Sequence, residues 1–393
     1  MNELNGKSEM SRISGRSRMK ICFLYHNLEK FGGAENNLVN LMLEIKRIGN
    51  EVDFYTFGIS DYYKNLLNGK VNIKIIKAPK ILTKQPFVWL YIKLFNLLGK
   101  NEFLEDYDAI NIHAYPMHWM AEGIHKKVVW NCNEPPMTYF PLKGKTNFEK
   151  SLRNFVKRIF YDTLEIGMVK NHIDKIVVLD KGMQTLIKRL YGISAKVVRI
   201  GVNTDLYRPK GKKDYIKMKI LFVSRLDKHK RVEDFLKALE LLQENSSVKD
   251  FEVYVIGSGP QEPLLNEFMK QLPFKITHLK NVSDEKVVDI YNKGNVLVFP
   301  AVSQPWGLVP FEAMACKCAV IVSKDTGAAE VLTHMKNSIL IDPYEPQQIA
   351  KWIEYLMINK KVLKRLSEDG FSFVTKNITL ERYAEHILEE LQS

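Results

Sequence analysis

The sequence predicts an α/β protein made of two Rossmann-like domains. Three observations support this fold class: short apolar runs alternate with amphipathic stretches, most runs are nearly continuous in valine and isoleucine, and glycine or polar turns separate them. Continuous apolar strands are typical of parallel sheets buried on both faces, and strand–helix alternation is typical of βαβ units. The length of 393 residues suits two hydrophobic cores better than one.

The apolar runs predict two groups of strands. The first group is Lys20–Tyr25, Glu51–Phe57, Val71–Ile76, Ala109–His113, Val128–Cys132, Lys175–Leu179 and Ala195–Ile200. The second group is Lys219–Val223, Glu252–Ile256, Ile276–Leu279, Val296–Phe299, Ala319–Val322 and Ser338–Ile341. Helical patterns lie between them at Ala34–Ile48, Lys181–Leu190, Arg231–Gln243, Asp284–Lys293 and Gly307–Ala315.

The polar stretch Asn203–Lys217 separates the two groups of strands and contains turn-forming residues, so it marks the domain boundary. We therefore expect an N-terminal domain at 19–202 and a C-terminal domain at 203–375. Residues 376–393 are expected to form a helix that packs back toward the N-terminal domain. Residues 1–18 are polar and basic and lack the apolar core of a secretory signal, so a disordered leader is expected there.

Basic residues are concentrated in the first half of the chain. Lysine and arginine number 58 against 45 acidic residues, and residues 1–200 alone hold 31 basic and 19 acidic side chains. An anionic membrane, a phosphate-bearing acceptor or a nucleic acid would each suit such a surface, and a lysine-rich composition without a partner would also produce it. Nucleic acid is the weakest of these interpretations, because no nucleic-acid-binding motif is recognisable.

The cysteines and the apolar segments indicate in which cellular compartment the protein is expected. The cysteines are Cys22, Cys132, Cys316 and Cys318. Their spacing fits neither a zinc site nor a redox pair, so we expect reduced thiols in a cytoplasmic protein. No apolar run reaches the ~18 residues that span a bilayer. The basic amphipathic segment Gly144–Arg158 and the apolar segment Pro86–Leu98 could hold the protein peripherally on the inner face of a membrane, or could be surface helices packed on a core.

Glycine-bearing turns follow two of the predicted strands. Gly32 and Gly33 open the first helix, and Gly257 and Gly259 follow a strand of the second half. Glycine lets the backbone approach a ligand closely, and a helix N-terminus suits a phosphate or a polar sugar. Glu262 stands at the last position of a possible G-x-G-x-x-G fingerprint, which argues against a nicotinamide cofactor.

Charged side chains follow two further strands. Arg225 and Lys230 come after the strand ending at Val223, and two cations at the carboxyl end of a parallel strand suit a diphosphate, although a solvated basic loop is the alternative. A second loop carries Gln304 and leads into a helix with Glu312, whose carboxylate suits ribose hydroxyls. Unpaired amides at that helix start could bind a phosphate. The residues there are Trp306, Gly307, Leu308 and Val309.

Two motifs of the first half complete the candidates. His113 closes a strand and could hydrogen-bond to a sugar, although a single histidine at a strand end is usually structural. Asp106–Tyr107–Asp108 has the D-x-D spacing of a metal site. It lies beside Glu102 and Glu105 ahead of a buried strand, which favours a solvated loop.

Together these motifs resemble the retaining glycosyltransferases with the GT-B fold, family 4, also called glycosyl transferases group 1. The resemblance covers nearly the whole chain, is closest over Ile220–Leu332, and depends on the order of the motifs, including Gly201–Asp205. It implies two Rossmann-like domains facing a central cleft, and transfer of a sugar from a nucleotide-sugar donor to a glycan or lipid-linked acceptor in cell-surface polysaccharide or glycoconjugate synthesis. Retention of anomeric configuration, with no bound metal or other cofactor, is implied as well.

The resemblance assigns most of the donor site to the C-terminal domain. Arg225 and Lys230 would hold the donor diphosphate, and Glu312 would hold the ribose. The backbone near Asn281 and Val282 would hold the base. The glycine turns and the start of the Glu312 helix would complete the donor contacts.

In the N-terminal domain, the resemblance implies that His113 contacts the transferred sugar and that the Gly32–Gly33 pair meets the phosphates or the acceptor. Gln304 stands where the family has the first of two glutamates, so hydrogen bonding is kept and a negative charge is lost. The segment Asn131–Pro136 resembles mannosyltransferase-like members, with Asn133 where histidine is common. This hints at GDP-mannose, and a UDP-sugar stays open.

Two other functions stay open, the first of them motivated by Gln304. One is a non-catalytic protein that binds a nucleotide sugar. The other is a sugar-nucleotide epimerase of the same fold, which would need acid and base carboxylates that the sequence does not identify.

Overall fold

The computed structural model describes residues 18–30, 32–79, 81–82, 87–133, 152–245 and 250–393, with the backbone alone described for 152–161 and 245. The predicted leader, except for its last residue, lies outside the described residues. So do Pro86, residues 134–136 and the part of the basic segment before residue 152. The chain divides into two compact units, Met1–Val198 with Tyr383–Ser393, and Arg199–Arg382. We call them the first and the second unit.

The first unit is built on a parallel sheet. Its strands in the described residues are β1 Lys20–Tyr25, β2 Glu51–Thr56, β3 Asn72–Ile75, β4 Ala109–His113, β5 Lys127–Asn131, β6 Lys175–Val178 and β7 Lys196–Val197. Their order across the sheet is β3-β2-β1-β4-β5-β6-β7. The direction of winding reverses between β1 and β4, where Tyr25 is paired with His113. Loops that leave this point in opposite directions form a crevice at the carboxyl ends of the strands.

Helices cover the faces of this sheet. They are α1 Gly33–Arg47, α2 Asp61–Leu67, α3 Val88–Leu97, α4 Leu152–His172 and α5 Lys181–Tyr191, with short 3-10 helices at Glu102–Asp106 and Met117–Ala121. Local sequence sets their ends. Asp180 caps α5 by accepting a hydrogen bond from the amide of Met183 at 2.6 Å, and Gly192 ends it at a φ of 72°. The core between helices and sheet includes the fully buried Trp119 and Trp130.

The second unit repeats this architecture. Its described strands are β8 Met218–Val223, β9 Phe251–Ile256, β10 Ile276–Leu279, β11 Val296–Phe299, β12 Ala319–Ser323 and β13 Ile339–Ile341. Their order is β10-β9-β8-β11-β12-β13, all parallel, and the winding reverses between β8 and β11. The helices are α6 Val232–Asn245, α7 Glu262–Gln271, α8 Asp284–Lys293, α9 Val309–Ala315, α10 Pro346–Ile358, α11 Lys360–Asn377 and α12 Leu380–Gln392. The end of α12 belongs to the first unit, where Glu390 pairs with Lys175 at 3.1 Å.

The predicted α/β class with two Rossmann-like sheets is confirmed, and every predicted strand is present. The strand predicted at Ala195–Ile200 is wrong in length, because β7 covers only Lys196–Val197. β7 pairs with β6, a strand of four residues that ends at Val178. Beyond this pairing, the Val198 amide donates a hydrogen bond to the Val178 carbonyl at 2.9 Å. The helix predicted from Gly307 begins at Val309 because Gly307 has a φ of 89°, which is not helical.

All four cysteines are buried free thiols, as the sequence predicts. Within the described ranges, no helix combines the length and the apolar composition that crossing a membrane requires.

Candidate functional site

The second unit brings two sequence motifs together where its sheet reverses direction. β8 and β11 are neighbours in the sheet, with Ile220 opposite Val296. The loop after β8 carries Arg225 and Lys230, and the loop after β11 carries Gln304. Because open α/β sheets bind ligands at the carboxyl ends of the strands beside such a reversal, this edge is the candidate site.

Lys230 is the centre of this edge. Its ammonium group donates a hydrogen bond to Gln304 Oε1 and lies 5.8 Å from the ring centre of Phe299. Burial, the larger cause, and the nearby positive charge of Arg225 together lower the pKa of Lys230 to about 8, against the opposing effect of Asp227. A lysine with a lowered pKa is one whose surroundings do not fully compensate its charge, so an anion would be stabilised here.

Arg225 stands beside this lysine with an exposed guanidinium group. Its Nε donates to the carboxylate of Asp227, which orients the group. Among the described residues, no hydrogen-bond partner uses its two terminal nitrogens. Those nitrogens are free to bind two oxygens of a phosphate, which is the geometry that guanidinium favours.

Gly257 and Gly259 hold the Arg225 loop in place. Gly257 has a φ of 133°, and a Cβ atom there would lie 1.9 Å from the carbonyl oxygen of Ser224. A Cβ on Gly259 would lie 2.8 Å from the carbonyl oxygen of Leu226, whose amide donates to Ser258. Backbone atoms of the Arg225 loop therefore fill the space beside both glycines. Their contribution is to let the loops after β8 and β9 pack directly together.

Free backbone amides lie close to Lys230. Gly307 adopts a left-handed conformation, and a Cβ there would lie 3.1 Å from the Phe299 ring and 3.4 Å from Gln304 Cγ. In the part of the chain that the structure describes, the amides of Gly307, Leu308 and Val309 donate no hydrogen bond. Such amides at a loop-to-helix junction can bind phosphate oxygens.

Trp306, expected as a donor contact, has its side chain in the core. The ring is stacked on Phe311 at 4.8 Å, and the indole N–H donates to the carbonyl of Ile200 at 3.0 Å. The Arg199 guanidinium also lies over the ring, 5.6 Å from its centre, so both the ring and the indole N–H have partners inside the second unit.

Glu312 lies on α9 within a second polar group of the same unit. Burial raises its pKa to about 7, although Tyr291 donates a hydrogen bond to Oε2 at 3.1 Å, which opposes the shift. The charge of Asp284 adds to the rise, and the ring of Tyr207 lies 6.1 Å from that of Tyr291. Among the residues that the structure describes, none donates to the other carboxylate oxygen, which can therefore accept hydrogen bonds from a diol.

The remaining predicted donor residues lie at the far end of the same sheet edge. Asn281 and Val282 follow β10, and Asn281 is exposed with a φ of 48°. The adjacent strand β9 ends at the Gly257 turn, whose carbonyl lies 2.8 Å from His278 Nε2. The structure thus places these two residues next to the glycine turn.

His113 of the first unit is buried in a polar cluster. Its Nε2 lies 2.6 Å from Asn111 Oδ1 and 2.7 Å from Asn131 Nδ2, and its ring is stacked on Phe23 at 5.9 Å. Burial lowers its pKa to about 3, so the imidazole is neutral at physiological pH.

Gly32 and Gly33 lie where the connection from β1 reaches α1. β1 is the neighbour of β4, the strand that ends at His113. Gly32 precedes α1, and Gly33 is exposed with open space where a Cβ would lie. Asp108 lies at the opposite end of the sheet, because its carboxylate accepts a hydrogen bond from the amide of Lys20, the first residue of β1, at 2.7 Å. The D-x-D motif is therefore remote from the edge that carries His113.

Comparison with known families decides what kind of protein this is. Residues 31–206 match the family model described as Glycosyltransferase Family 4, and residues 203–373 match that of Glycosyl transferases group 1. The chain belongs to glycosyltransferase family 4. The resemblance found in its motifs is thereby confirmed, and the structure shows the GT-B pair of Rossmann-like units.

Relatives of this family 4 glycosyltransferase match over nearly the full length. An uncharacterized glycosyltransferase of Methanocaldococcus jannaschii is 25% identical over 88% of this chain and 94% of its own. A glycosyltransferase structure from Rickettsia africae covers 96% of this chain and 98% of its own, with 18% identity and a TM-score of 0.73. The Anabaena protein HepE in complex with UDP covers 95% and 100%, with 17% identity and a TM-score of 0.73. At these identities the two structures establish the fold.

Sequence reasoning missed several residues of the site. Tyr291, Tyr207 and Asp284 surround Glu312, yet they come from separate segments of the chain. Asp227 lies two residues after Arg225 in the same loop, and this spacing is the one sequence signal for the ion pair between them. Asn131 begins the Asn131–Pro136 motif, but its contact with His113 depends on the register of β4 and β5, which the sequence does not show.

Proposed function

We propose that this family 4 glycosyltransferase binds the diphosphate of a nucleotide-sugar donor between Arg225, Lys230 and the Gly307 turn. The observation that carries the proposal is the lowered pKa of Lys230, to about 8, beside a second cation and free amides at one sheet edge. A diphosphate would supply the negative charge that this edge lacks. Its binding would therefore be favoured by electrostatics as well as by hydrogen bonds.

The rest of the donor follows from the position of the neighbouring groups. We assign the ribose to Glu312, which has an acceptor oxygen and a buried setting, and the base to the backbone at Asn281 and Val282. The structural neighbour HepE was solved in complex with UDP and with UDP-glucose. A UDP-sugar and GDP-mannose are the two donors to be compared first.

The reaction we propose is transfer to a glycan or lipid-linked acceptor with retention of anomeric configuration and without a metal. Charge develops on the leaving diphosphate as the bond to the sugar breaks, and fixed positive groups stabilise it there. Lys230 and Arg225 supply that charge directly. Gln304 holds the Lys230 ammonium in position, and the neutral His113 is assigned to a hydroxyl of the transferred sugar.

A thermal-shift screen of UDP-, GDP- and ADP-sugars tests donor binding. The true donor should raise the melting temperature of the wild-type protein, since a ligand that binds only the folded state stabilises it. Lys230→Ala should abolish the shift, whereas Lys228→Ala, which removes an exposed lysine of the same loop, should preserve it. Equal shifts in both variants would contradict the proposed diphosphate contacts.

A second assay tests catalysis. The donor found in the screen is incubated with candidate acceptors, and the anomeric configuration of the product is read by NMR. Transfer with retention supports the proposal. Binding without transfer or hydrolysis would instead indicate a non-catalytic binding protein, and conversion of the sugar on the nucleotide would indicate an epimerase.

A further inference from the structure

The helix α3 exposes a row of large apolar side chains to solvent. We call this surface the α3 patch. It consists of Phe87, Leu90, Leu94, Leu97 and Leu98, which are between 47% and 83% exposed. Their spacing of three or four residues places them along one face of the helix. A continuous row of this kind differs from the single exposed apolar residues that are normal on a protein surface.

The opposite face of α3 is firmly attached to the first unit. Val88 and Ile92 are fully buried, and Asn96 Nδ2 donates to the carbonyl of Trp119 at 2.7 Å. Lys93 forms an ion pair with Glu122 at 2.6 Å. The helix is therefore fixed in orientation, and the α3 patch faces outward because the packing contacts seen among the described residues lie on the other side.

Exposed lysines flank the α3 patch in sequence, whereas Lys93 is neutralised by Glu122 and the exposed Glu102 lies just past the C-terminal end of the helix. Residues 70–100 contain seven lysines and no acidic residue. Lys77 and Lys100, at either side of the helix in sequence, are exposed, and the Lys77 carbonyl accepts a hydrogen bond from Tyr91 of α3 at 2.8 Å. The exposed apolar row between these two lysines suits a partner that combines an apolar interior with a negatively charged exterior.

We propose that the α3 patch inserts into the interface of an anionic lipid bilayer, with α3 lying in the membrane plane. Its 10 residues make a helix of about 15 Å, which is too short to cross a hydrocarbon core of about 30 Å. Leucine side chains enter the acyl region while flanking lysines meet the lipid phosphates. A second copy of the chain fits less well, because it would bring two basic segments together.

The position of the α3 patch gives this membrane contact a consequence for the acceptor. α3 packs against the 3-10 helix Met117–Ala121, which follows directly after the β4 strand that His113 ends. Trp89 and Trp119 lie 6.2 Å apart across this contact. A lipid-linked acceptor in the same bilayer would be presented next to the carboxyl edge of the first sheet. This consequence rests on the proposed function, whereas the membrane contact itself does not.

Vesicle flotation with the full chain tests the proposal. Vesicles of phosphatidylcholine alone are compared with vesicles of equal parts phosphatidylcholine and phosphatidylglycerol, at low and high salt. We expect binding to the anionic vesicles that weakens at high salt. The variant Leu90→Gln/Leu94→Gln/Leu97→Gln should bind about tenfold more weakly, since each exposed leucine contributes apolar transfer energy while glutamine keeps the helix.

The matched control is Ile216→Gln/Ile358→Gln, which removes exposed apolar side chains from the second unit and should bind like wild type. A separate variant, Lys77→Glu/Lys100→Glu, keeps the apolar row and should lose the preference for anionic vesicles. Undiminished binding of the triple variant, or no binding of the wild type, would overturn the proposal. So would a wild-type dimer that the triple variant converts to monomer, because the occupant would then be a second copy.

Measuring donor binding in parallel distinguishes a failure of the membrane proposal from a failure of the proposed function. Lys230→Ala should float with anionic vesicles as the wild type does. If it floats normally while no nucleotide sugar shifts the wild-type melting temperature, the proposed function fails and the membrane surface stands.

Discussion

Replacing Lys230 with arginine should remove most of the pH dependence of donor binding. The pKa of Lys230 is lowered from 10.5 to about 8 by burial and by the charge of Arg225. The protonated fraction of this lysine therefore falls from about nine-tenths at pH 7 to about one-tenth at pH 9. A nucleotide sugar needs the protonated form, because its diphosphate binds the ammonium group.

The size of the effect follows from that fraction. The donor dissociation constant should rise about tenfold between pH 7 and pH 9, which is about 1.4 kcal/mol of binding free energy. Arginine stays protonated throughout this range, so the Lys230→Arg variant should show a nearly flat profile even if its affinity is lower. Each phosphate of a nucleotide sugar has one ester and one anhydride linkage, so its remaining acidic oxygen stays ionised over the same range.

Isothermal titration of the donor at several pH values measures the effect. Lys228→Arg is the control and should follow the wild-type profile. Any change that remains in Lys230→Arg reports other groups, such as the base. If the wild type and Lys230→Arg show the same slope, Lys230 does not carry the charge that binds the donor, and the electrostatic reasoning is refuted.

Three further predictions concern other parts of the site. Glu312→Gln should be more stable to urea than the wild type by up to about 3 kcal/mol at pH 8, because the folded-state pKa of about 7 lies above the ordinary 4.5; the difference should vanish below pH 4.5, where the carboxyl is neutral in both states. Gly257→Ala should cost more than about 2 kcal/mol in urea unfolding, since its Cβ meets the Ser224 carbonyl, whereas Gly33→Ala should leave stability nearly unchanged. In NMR spectra of histidine-labelled protein, His113 should stay neutral down to about pH 4, since burial lowers its pKa to about 3; a midpoint near 6.5 would contradict its burial.

The strands were predictable because a strand buried on both faces needs a nearly continuous run of apolar residues. Val296–Phe299 and Ala109–His113 have the predicted bounds, since continuous apolar residues are needed wherever helices cover both sides. β7 was overestimated because the apolar pattern continues past the point where the neighbouring strand β6 stops. The length of a strand depends on the length of the strand it pairs with, and the sequence of the strand itself does not show that length.

The site was predictable at the level of loops and not at the level of contacts. Parallel strands with alternating connections place the loops after β8 and β11 at one edge, so the meeting of Lys230 with Gln304 follows from topology. The packing of Gly257 on the Ser224 carbonyl was not predictable, because a glycine near a ligand edge and a glycine packed on backbone look alike in sequence.

The raised pKa of Glu312 had no counterpart in the sequence analysis. It arises from burial among Tyr291 and Asp284, which the helix α8 brings to α9. Similarly, His113 and Asn111 lie two residues apart on one strand face, which the strand period predicts, but Asn131 joins them only through the register of β4 and β5. Distances between segments determine these electrostatic properties.

A crystal structure of the chain with its donor nucleotide tests the central claim most directly. The account predicts diphosphate oxygens within about 3 Å of the Lys230 ammonium and the Arg225 guanidinium, with further oxygens at the amides of the Gly307 turn. A nucleotide whose phosphates lie elsewhere, with Lys230 still bonded only to Gln304, would contradict it.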